Sequence, residues 1–297
     1  MGHDVIMTLP ADCPADAHVH SEWSWDTGGP WSAAAGTMRR TCERAVRIGL
    51  PAVIFTEHLD FDGWRIDPAD VSDQEKSLIT EDGRLEPTKL DVVGYLDSIE
   101  RCRHDFPDLR ILTGVEYGQP HLFDDQARAL IDLDSLDRVN GSLHTLQLDG
   151  PNSNGERAEP YTLFRHWPAD KVITEYLAEV PRMINGSDSF ACFTHIDYAV
   201  RYWPVETEGP FDPRRFEEQF RAAMRAIAVS GRALEMNTRR LWSWVPQWWT
   251  EEGGRAVSFG SDDHSTTTLA RGLPEATVML EHFGFRPGRR PEDFWTR

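Results

Sequence analysis

Two histidines separated by one residue, His18 and His20, stand at the end of the first apolar run and could bind a metal ion. Residues i and i+2 of a β-strand point to the same face, so a strand would direct both imidazoles to one side. Such a pair also occurs in packed cores, so the pair alone does not decide between metal binding and packing. The positions of the other histidines, aspartates and glutamates carry the argument.

The remaining candidate ligands share one feature, because each ends a short apolar run. His58 closes VIFTEH, Glu116 closes ILTGVE, His144 closes RVNGSLH, His195 closes ACFTH, and Asp262 and His264 close VSFGSDDH. Six of the 11 histidines lie at such positions, which argues against a chance distribution. These residues are therefore predicted to meet at one metal site.

The elements that must position these side chains alternate between strands and helices. Strands are predicted at 16–20, 52–56, 111–115, 138–142, 191–194, 233–236 and 257–260, and helices at 37–48, 90–104, 169–183 and 212–230. This order predicts an α/β fold with a parallel sheet, open or closed into a barrel. In a barrel the carboxyl ends of all strands open on one face, which would bring the candidate ligands together.

Residues 1–297 are predicted to form a single domain with three insertions that resemble lids, at about 60–89, 147–168 and 241–249. Long connections inside a compact domain usually have a binding or gating role. The third insertion contains Trp242, Trp244, Trp248 and Trp249. These tryptophans could wall a pocket, form part of the core, or contact a second copy of the chain, so a homodimer stays open.

The ligand types indicate the kind of metal. Imidazoles and carboxylates without thiolate favour Zn²⁺, Mn²⁺ or Fe²⁺. Eight or nine ligands are too many for one ion, so two or three divalent ions are predicted, with Glu116 as the candidate bridge between two of them. Neighbouring ions of this kind can clamp a phosphoryl group during in-line displacement.

Composition limits the partners. The formal net charge of −18 and a pI near 5.0 disfavour non-specific binding to nucleic acid or to anionic membranes. No stretch approaches the ~18 apolar residues of a transmembrane helix, and the N-terminal residues do not resemble a signal peptide. The four cysteines are widely spaced, which favours reduced thiols. A soluble cytoplasmic protein is therefore expected.

Six ordered motifs resemble those of the PHP (polymerase and histidinol phosphatase) family. They are DAHVHS at 16–21, TEH at 56–58, GVE at 114–116, GSLH at 141–144, THID at 194–197 and GSDDH at 260–264, and together they span about 250 residues. The resemblance implies a distorted (β/α)7 barrel, similar to a TIM barrel, with a trinuclear metal site at the carboxyl ends of the strands.

The resemblance also implies how the ligands are shared among three ions. One ion would take His18, His20, Glu116 and Asp262; the second Glu116, His144 and His195; the third Asp26, His58 and His264. Many family members carry histidine at the position of Asp26, which makes this the least secure ligand. Asp16 and Glu57 flank ligands and are expected to accept hydrogen bonds from the N–H groups of ligands.

Within the family, the compact form with these motifs is similar to histidinol-phosphate phosphatases. This implies hydrolysis of a small phosphate monoester, with L-histidinol phosphate as the first candidate, by a hydroxide that bridges metal ions. Glu116 would bridge the ions, and Asp262 or His264 would relay a proton to the departing alkoxide. Arg201, Arg239 and Arg271 are candidates for binding the substrate phosphate, although each could equally be a surface arginine.

Three other functions remain open at this point. A nuclease or nucleotide phosphoesterase would use the same metals, but the acidic insertion disfavours the basic groove it needs. An amidohydrolase would need a bridging lysine, and none of Lys76, Lys89 and Lys171 lies at a predicted strand end. A non-catalytic regulatory module would have lost ligands, whereas the ligand set here looks complete.

Overall fold

The computed structural model describes residues 9–10, 13–73, 75–148 and 155–297. Most of the stretch considered as a signal peptide, and residues 149–154 of the second insertion, lie outside these ranges. The strands are β1 Asp16–Val19, β2 Ala52–Leu59, β3 Trp64–Arg65, β4 Arg84–Leu85, β5 Arg110–Gly118, β6 Arg138–Ser142, β7 Leu146–Gln147, β8 Arg157–Ala158, β9 Cys192–Phe193, β10 Ala233–Asn237, β11 Ala256–Gly260 and β12 Trp295–Thr296. The helices are α1 Thr37–Ile48, α2 Val92–Asp105, α3 Pro120–Leu130, α4 Pro160–His166, α5 Ala169–Gly186, α6 Val205–Glu208, α7 Glu217–Val229, α8 Trp244–Glu251 and α9 Leu273–His282.

Seven strands form one parallel sheet in the order β1-β2-β5-β6-β9-β10-β11, and β12 extends it antiparallel to β11. The first and seventh parallel strands meet through a parallel bridge between Val19 and Asp263. Backbone bonds from His20 N to Asp263 O (2.9 Å) and from Asp262 N to His18 O (2.8 Å) join the same ends. The sheet thus curls around on itself, as the predicted (β/α)7 barrel requires.

All seven predicted strands are present, and the predicted helices agree with the structure to within a few residues. Helix α1 ends at Gly49, whose φ of 73° is the left-handed conformation that glycine adopts readily at a helix C-terminus. The fourth predicted helix begins instead as a 3-10 turn, Pro213–Phe216, before α7. Among the described residues, no helix combines the length and apolar character needed to span a bilayer.

The first two insertions pair with each other in a second, four-stranded sheet of order β4-β3-β8-β7. Arg65 of the first insertion is in register with Ala158 of the second, and a small core of Trp64, Ile66 and Leu85 packs beneath them. Both insertions therefore form one layer beside the carboxyl ends of the barrel strands.

The third insertion differs from the lid expected for it, because most of it folds as helix α8. Trp248 and Trp249 are buried in the main core, and Trp244 stacks edge-on against Phe220 of α7 with ring centroids 4.7 Å apart. The apolar rings lose most of their contact with water by packing on α7. Of the three roles considered for these tryptophans, the structure favours the core.

Candidate metal centre

The predicted ligands lie at the carboxyl ends of the barrel strands. His18 and His58 are within β1 and β2, Glu116 is within β5, and the others directly follow strands: His20 after β1, His144 after β6, His195 after β9, and Asp262 and His264 after β11. Asp26 lies in a 3-10 turn, Trp25–Thr27, between β1 and α1. The parallel arrangement brings all nine predicted ligands to one end of the barrel.

Glu116 is at the centre of the cluster. One carboxylate oxygen, Oε2, lies 3.1 Å from His18 Nε2 and 3.3 Å from His20 Nε2. The other, Oε1, lies 3.1 Å from His144 Nε2 and 2.6 Å from His195 Nε2. Burial alone would raise the pKa of Glu116, but the surrounding imidazoles hold it well below its usual range. A carboxylate flanked by two pairs of imidazoles has the position expected of a bridging ligand.

Asp262 completes the group around His18 and His20. Its Oδ1 lies 3.7 Å from His18 Nε2 and 3.5 Å from His20 Nε2, while Oδ2 accepts a hydrogen bond from Arg201 Nη1 at 2.8 Å. Asp262 has a φ of 55°, a strained backbone conformation for a residue with a side chain. Asp262 thus links the candidate metal ligands to an arginine.

The third predicted group also comes together. Asp26 Oδ2 lies 2.9 Å from His264 Nε2 and 3.6 Å from His58 Nε2. His264 is stacked on His20 with ring centroids 4.0 Å apart, which joins this group to the first. Asp26 therefore lies beside the two histidines with which it was predicted to share an ion.

Several buried nitrogen and oxygen atoms in the cluster make no hydrogen bond of regular geometry within the described structure. They are His18 Nε2, His20 Nε2, His58 Nδ1, His195 Nδ1, His264 Nε2 and Asp26 Oδ1. Unsatisfied buried polar atoms are costly, and several at one place indicate a missing ligand. Four sets of three or four side chains have ligand atoms within 4.8 Å of one another, which is close enough for one ion each: His18, His20, Glu116 and Asp262; Glu116, His144 and His195; His20, His58 and His264; His58, Asp60 and His144. The donor set fits divalent metal ions.

Behind these side chains lies a layer of hydrogen bonds that sets their orientation. Glu57 accepts from Ser24 Oγ at 2.7 Å, and this hydroxyl is 2.9 Å from His20 Nδ1, so Glu57 acts on His20 through Ser24. Asp16 was expected to accept a hydrogen bond from the N–H group of a ligand, but its partners are different. Its two oxygens accept from Ser261 N and Ala270 N, each at 2.8 Å, and so hold the loop that carries Asp262.

Two acidic residues of the site were missed from the sequence. Glu235 Oε2 lies 2.6 Å from His18 Nδ1, and the side chain is buried at the middle of β10. Asp60 is buried between two imidazoles, 3.3 Å from His58 Nδ1 and 3.3 Å from His144 Nδ1. Glu235 could have been found as a carboxylate inside the apolar run ALEMN. Asp60 could have been found from its i, i+2 spacing from His58.

A cleft of about 220 Å³ opens over the cluster, and one wall of it is acidic and aromatic. Glu75 comes from the first insertion, Glu159 and Tyr161 follow β8 in the second, and Tyr198 and Tyr202 follow His195. Tyr198 donates from its hydroxyl to Glu159 Oε2 at 3.0 Å. Burial raises the pKa of Glu159 to about 8. Both insertions thus contribute to the cleft.

A second cavity, of about 330 Å³, adjoins the cleft, and we call it the arginine annex. It is lined by Arg201, Tyr202, Asn237, Arg239, Arg240, Asp262 and Arg271. Of the three arginines predicted to bind phosphate, Arg201 and Arg239 line both the cleft and the annex, whereas Arg271 lines the annex alone. Arg240 was not predicted from the sequence.

Comparison with known proteins agrees with this geometry. A protein from Clostridium acetobutylicum named "Probable histidinol-phosphatase" is 23% identical over 283 residues, which cover 92% of this chain and 94% of the relative. A histidinol-phosphatase from Lactococcus lactis subsp. lactis is 23% identical over 279 residues, covering 91% of each chain.

The fold has a close counterpart among solved structures. The histidinol phosphate phosphatase of Lactococcus lactis subsp. lactis, in a crystal structure with zinc, L-histidinol and phosphate, matches with a TM-score of 0.71 and 22% identity over 92% of this chain and 94% of that one. The sequence model of the PHP domain matches residues 16–239, three quarters of the chain. The chain belongs to the PHP domain family.

Proposed function

We propose that this protein is a metal-dependent phosphatase that hydrolyses L-histidinol phosphate to L-histidinol and phosphate. The observation that carries the proposal is the position of Arg201 beside the imidazole and carboxylate cluster. Its Nη1 is bound to Asp262, while Nε and Nη2 are buried without a hydrogen-bond partner in the described structure. A planar guanidinium with two free N–H groups is suited to the oxygens of a phosphate group.

The proposed metal ligands are His18, His20, Asp26, His58, Glu116, His144, His195, Asp262 and His264. Two or three divalent ions, of zinc, manganese or iron, would supply Lewis acidity and an activated water for attack on phosphorus. The residues of the chain orient the ester: Arg201 and Arg239 bind the phosphate oxygens at the border between the cleft and the annex. As the P–O bond breaks, Asp262 or His264 would relay to the alkoxide oxygen the proton that the attacking water releases.

The acidic and aromatic wall of the cleft supports a substrate with a cationic or imidazole group. Tyr161 and Tyr202 meet edge-on with ring centroids 5.3 Å apart, and Tyr202 meets Tyr198 at 5.6 Å. Glu159 lies behind these rings, and a carboxylate with aromatic faces is a common binding environment for an ammonium group. L-histidinol phosphate offers an ammonium group on the carbon next to its CH2–O–P group and an imidazole at the end remote from its phosphate. The names of the relatives point to the same substrate.

The test compares the substrate with simpler phosphate esters. Protein purified without chelators is analysed for bound metal, and phosphate release is measured from L-histidinol phosphate, phenyl phosphate and a phosphodiester. We expect two or three ions per chain, fast hydrolysis of L-histidinol phosphate only, and loss of both metal and activity in Glu116→Ala. If the protein binds metal but hydrolyses every ester slowly, the metal centre is supported and L-histidinol phosphate is rejected as the substrate.

Glu159→Gln gives an independent check of the substrate end. At pH 8.5, above the raised pKa of Glu159, this variant should raise KM for L-histidinol phosphate by about tenfold, because one charge-assisted interaction with the ammonium group is lost. KM for phenyl phosphate, which has no cationic group, should change little. An equal increase for both esters would mean that Glu159 does not recognise the amine.

A further inference from the structure

The arginine annex contains more positive charge than one bound phosphate requires. Four arginines line it, and the single carboxylate among its lining residues is Asp262, which already faces the candidate metal ligands. Arg240 and Arg271 are exposed, and among the described residues their side chains form no hydrogen bond or ion pair. Within the part of the chain that the structure describes, the side chain of Arg239 donates only to a backbone carbonyl, Asp262 O, at 3.1 Å.

This arrangement is unusual for a chain with a net charge of −18. Other arginines of the same molecule find acidic partners: Arg221, for example, contacts Glu217, Glu251 and Glu252. Like charges that are grouped without counter-ions repel each other, and the repulsion is relieved when an anion binds. The annex is therefore a positive cavity in an acidic protein, beside the cleft where a phosphate ester must enter.

We propose that the annex is a second phosphate subsite, in which Arg240 and Arg271 bind a phosphate dianion outside the positions of the metal ions. The role of this subsite in catalysis rests on the proposed phosphatase function, whereas its ability to bind phosphate does not. An acidic protein repels an anionic ester, and a local positive cavity offsets that repulsion and raises the rate of encounter. The same cavity binds the phosphate that leaves the metal centre after hydrolysis.

The ligand of the subsite is thus a tetrahedral phosphate dianion. It belongs either to the entering monoester or to the released product. Arg201 and Arg239 line both cavities, so a phosphate group can pass between the subsite and the metal centre without leaving guanidinium contact. Arg240 and Arg271 line the annex but not the cleft, which makes them the residues that distinguish the two positions.

The experiment uses the metal-loaded protein and the double variant Arg240→Gln/Arg271→Gln. The matched control is Arg47→Gln/Arg289→Gln, which removes two exposed arginines whose side chains likewise have no partner in the described structure. For each protein, inorganic phosphate binding is measured by equilibrium dialysis, and kcat/KM for phenyl phosphate is measured from low to high ionic strength. Circular dichroism checks that the variants are folded.

We expect the annex variant to bind phosphate about tenfold more weakly and to lose about tenfold in kcat/KM at low ionic strength. The difference should shrink at high salt, because ions screen exposed charges. A change confined to phosphate binding assigns the subsite to the released product, and a change confined to kcat/KM assigns it to the entering ester. Identical behaviour of the annex and control variants overturns the proposal.

The two proposals fail in distinguishable ways. If the protein hydrolyses no phosphate monoester, the dialysis alone decides: weaker phosphate binding by the annex variant supports the subsite while the phosphatase function falls. If hydrolysis is fast but both double variants match the native protein, the function stands and the subsite is rejected.

Discussion

The carboxylate of Glu235 lies 2.6 Å from Nδ1 of His18, and the opposite ring nitrogen of that histidine, Nε2, lies 3.1 Å from Glu116. The carboxylate fixes the tautomer, because a proton on Nδ1 leaves the lone pair on Nε2 free for a metal ion. Burial would lower the pKa of His18, but Glu235 and Glu116 raise it well above its ordinary value in the metal-free protein. Glu235 is thus a positioning residue that acts through His18.

Glu235→Gln is expected to weaken metal binding by about 10- to 100-fold while the fold is retained, because the neutral amide polarises His18 less. Metal affinity is measured by competition with a chromogenic chelator, and bound metal by elemental analysis. Glu81→Gln, at an exposed position in the first insertion, is the matched control. Unchanged metal affinity in Glu235→Gln would show that the carboxylate is only a structural partner of His18.

How far the sequence predicts the site depends on whether a residue is fixed by a strand or by a loop. His18, Glu116 and Asp262 could be placed because each ends an apolar strand, and parallel strands end on the same face. Glu235 and Asp60 could not be assigned, because a carboxylate near a strand gives no sign of which imidazole it will meet. That pairing is decided by the barrel closure that joins β1 to β11.

The connections were the least predictable part of the fold. Pairing of β3 with β8 joins segments about 90 residues apart, and no local pattern encodes such a contact. The tryptophans of helix α8 are a second example, since the sequence left a pocket wall, a core role and a contact with a second copy open, whereas packing against α7 places them in or against the core. Glu159 and Tyr161 reach the cleft only because the second insertion pairs with the first.

Arg201→Lys tests the role of the guanidinium geometry. Lysine keeps a positive charge near Asp262 but cannot present two parallel N–H groups to a phosphate. We expect kcat/KM for every phosphate monoester to fall by about 10²-fold, the usual effect of losing one oriented donor to the transition state. Arg182→Lys, at an exposed arginine of helix α5, is the control. A loss smaller than threefold in Arg201→Lys would place the phosphate elsewhere.

The raised pKa of Glu159 predicts that the stability of the protein depends on pH. Burial raises its pKa from 4.5 to about 8, so the folded protein keeps a proton that the unfolded chain releases. This group therefore lowers stability as the pH rises from about 4.5 through about 8, because the unfolded state binds fewer protons over that range. Glu159→Gln, which does not titrate, should lose less stability between pH 6 and pH 8.5 than the native protein.

The measurement is the free energy of unfolding in urea for both proteins at the two pH values. Comparing the change in each protein cancels effects that they share, such as the titration of other groups. Equal changes in the native protein and in Glu159→Gln would mean that the glutamate is ionised throughout this range.

Substitution of Trp249 tests whether the tryptophan segment belongs to the core or to the cleft. Its side chain is fully buried, its Nε1 donates to Ala256 O at 3.2 Å, and it is not among the residues that line the cleft. Trp249→Ala should lower the free energy of unfolding by about 3–5 kcal/mol, because a large cavity is left in the core. Trp31→Ala is the control, since that side chain is 96% exposed and should contribute little.

Kinetics of the milder variant Trp249→Phe then distinguish the two roles without loss of the fold. A core residue lowers stability and leaves KM for L-histidinol phosphate unchanged, because the ring is held between α8 and the backbone of β11 rather than at the substrate. Unaltered stability together with a raised KM would instead place Trp249 in contact with the substrate. That outcome would require helix α8, which carries Trp249, to move toward the cleft when the ester binds.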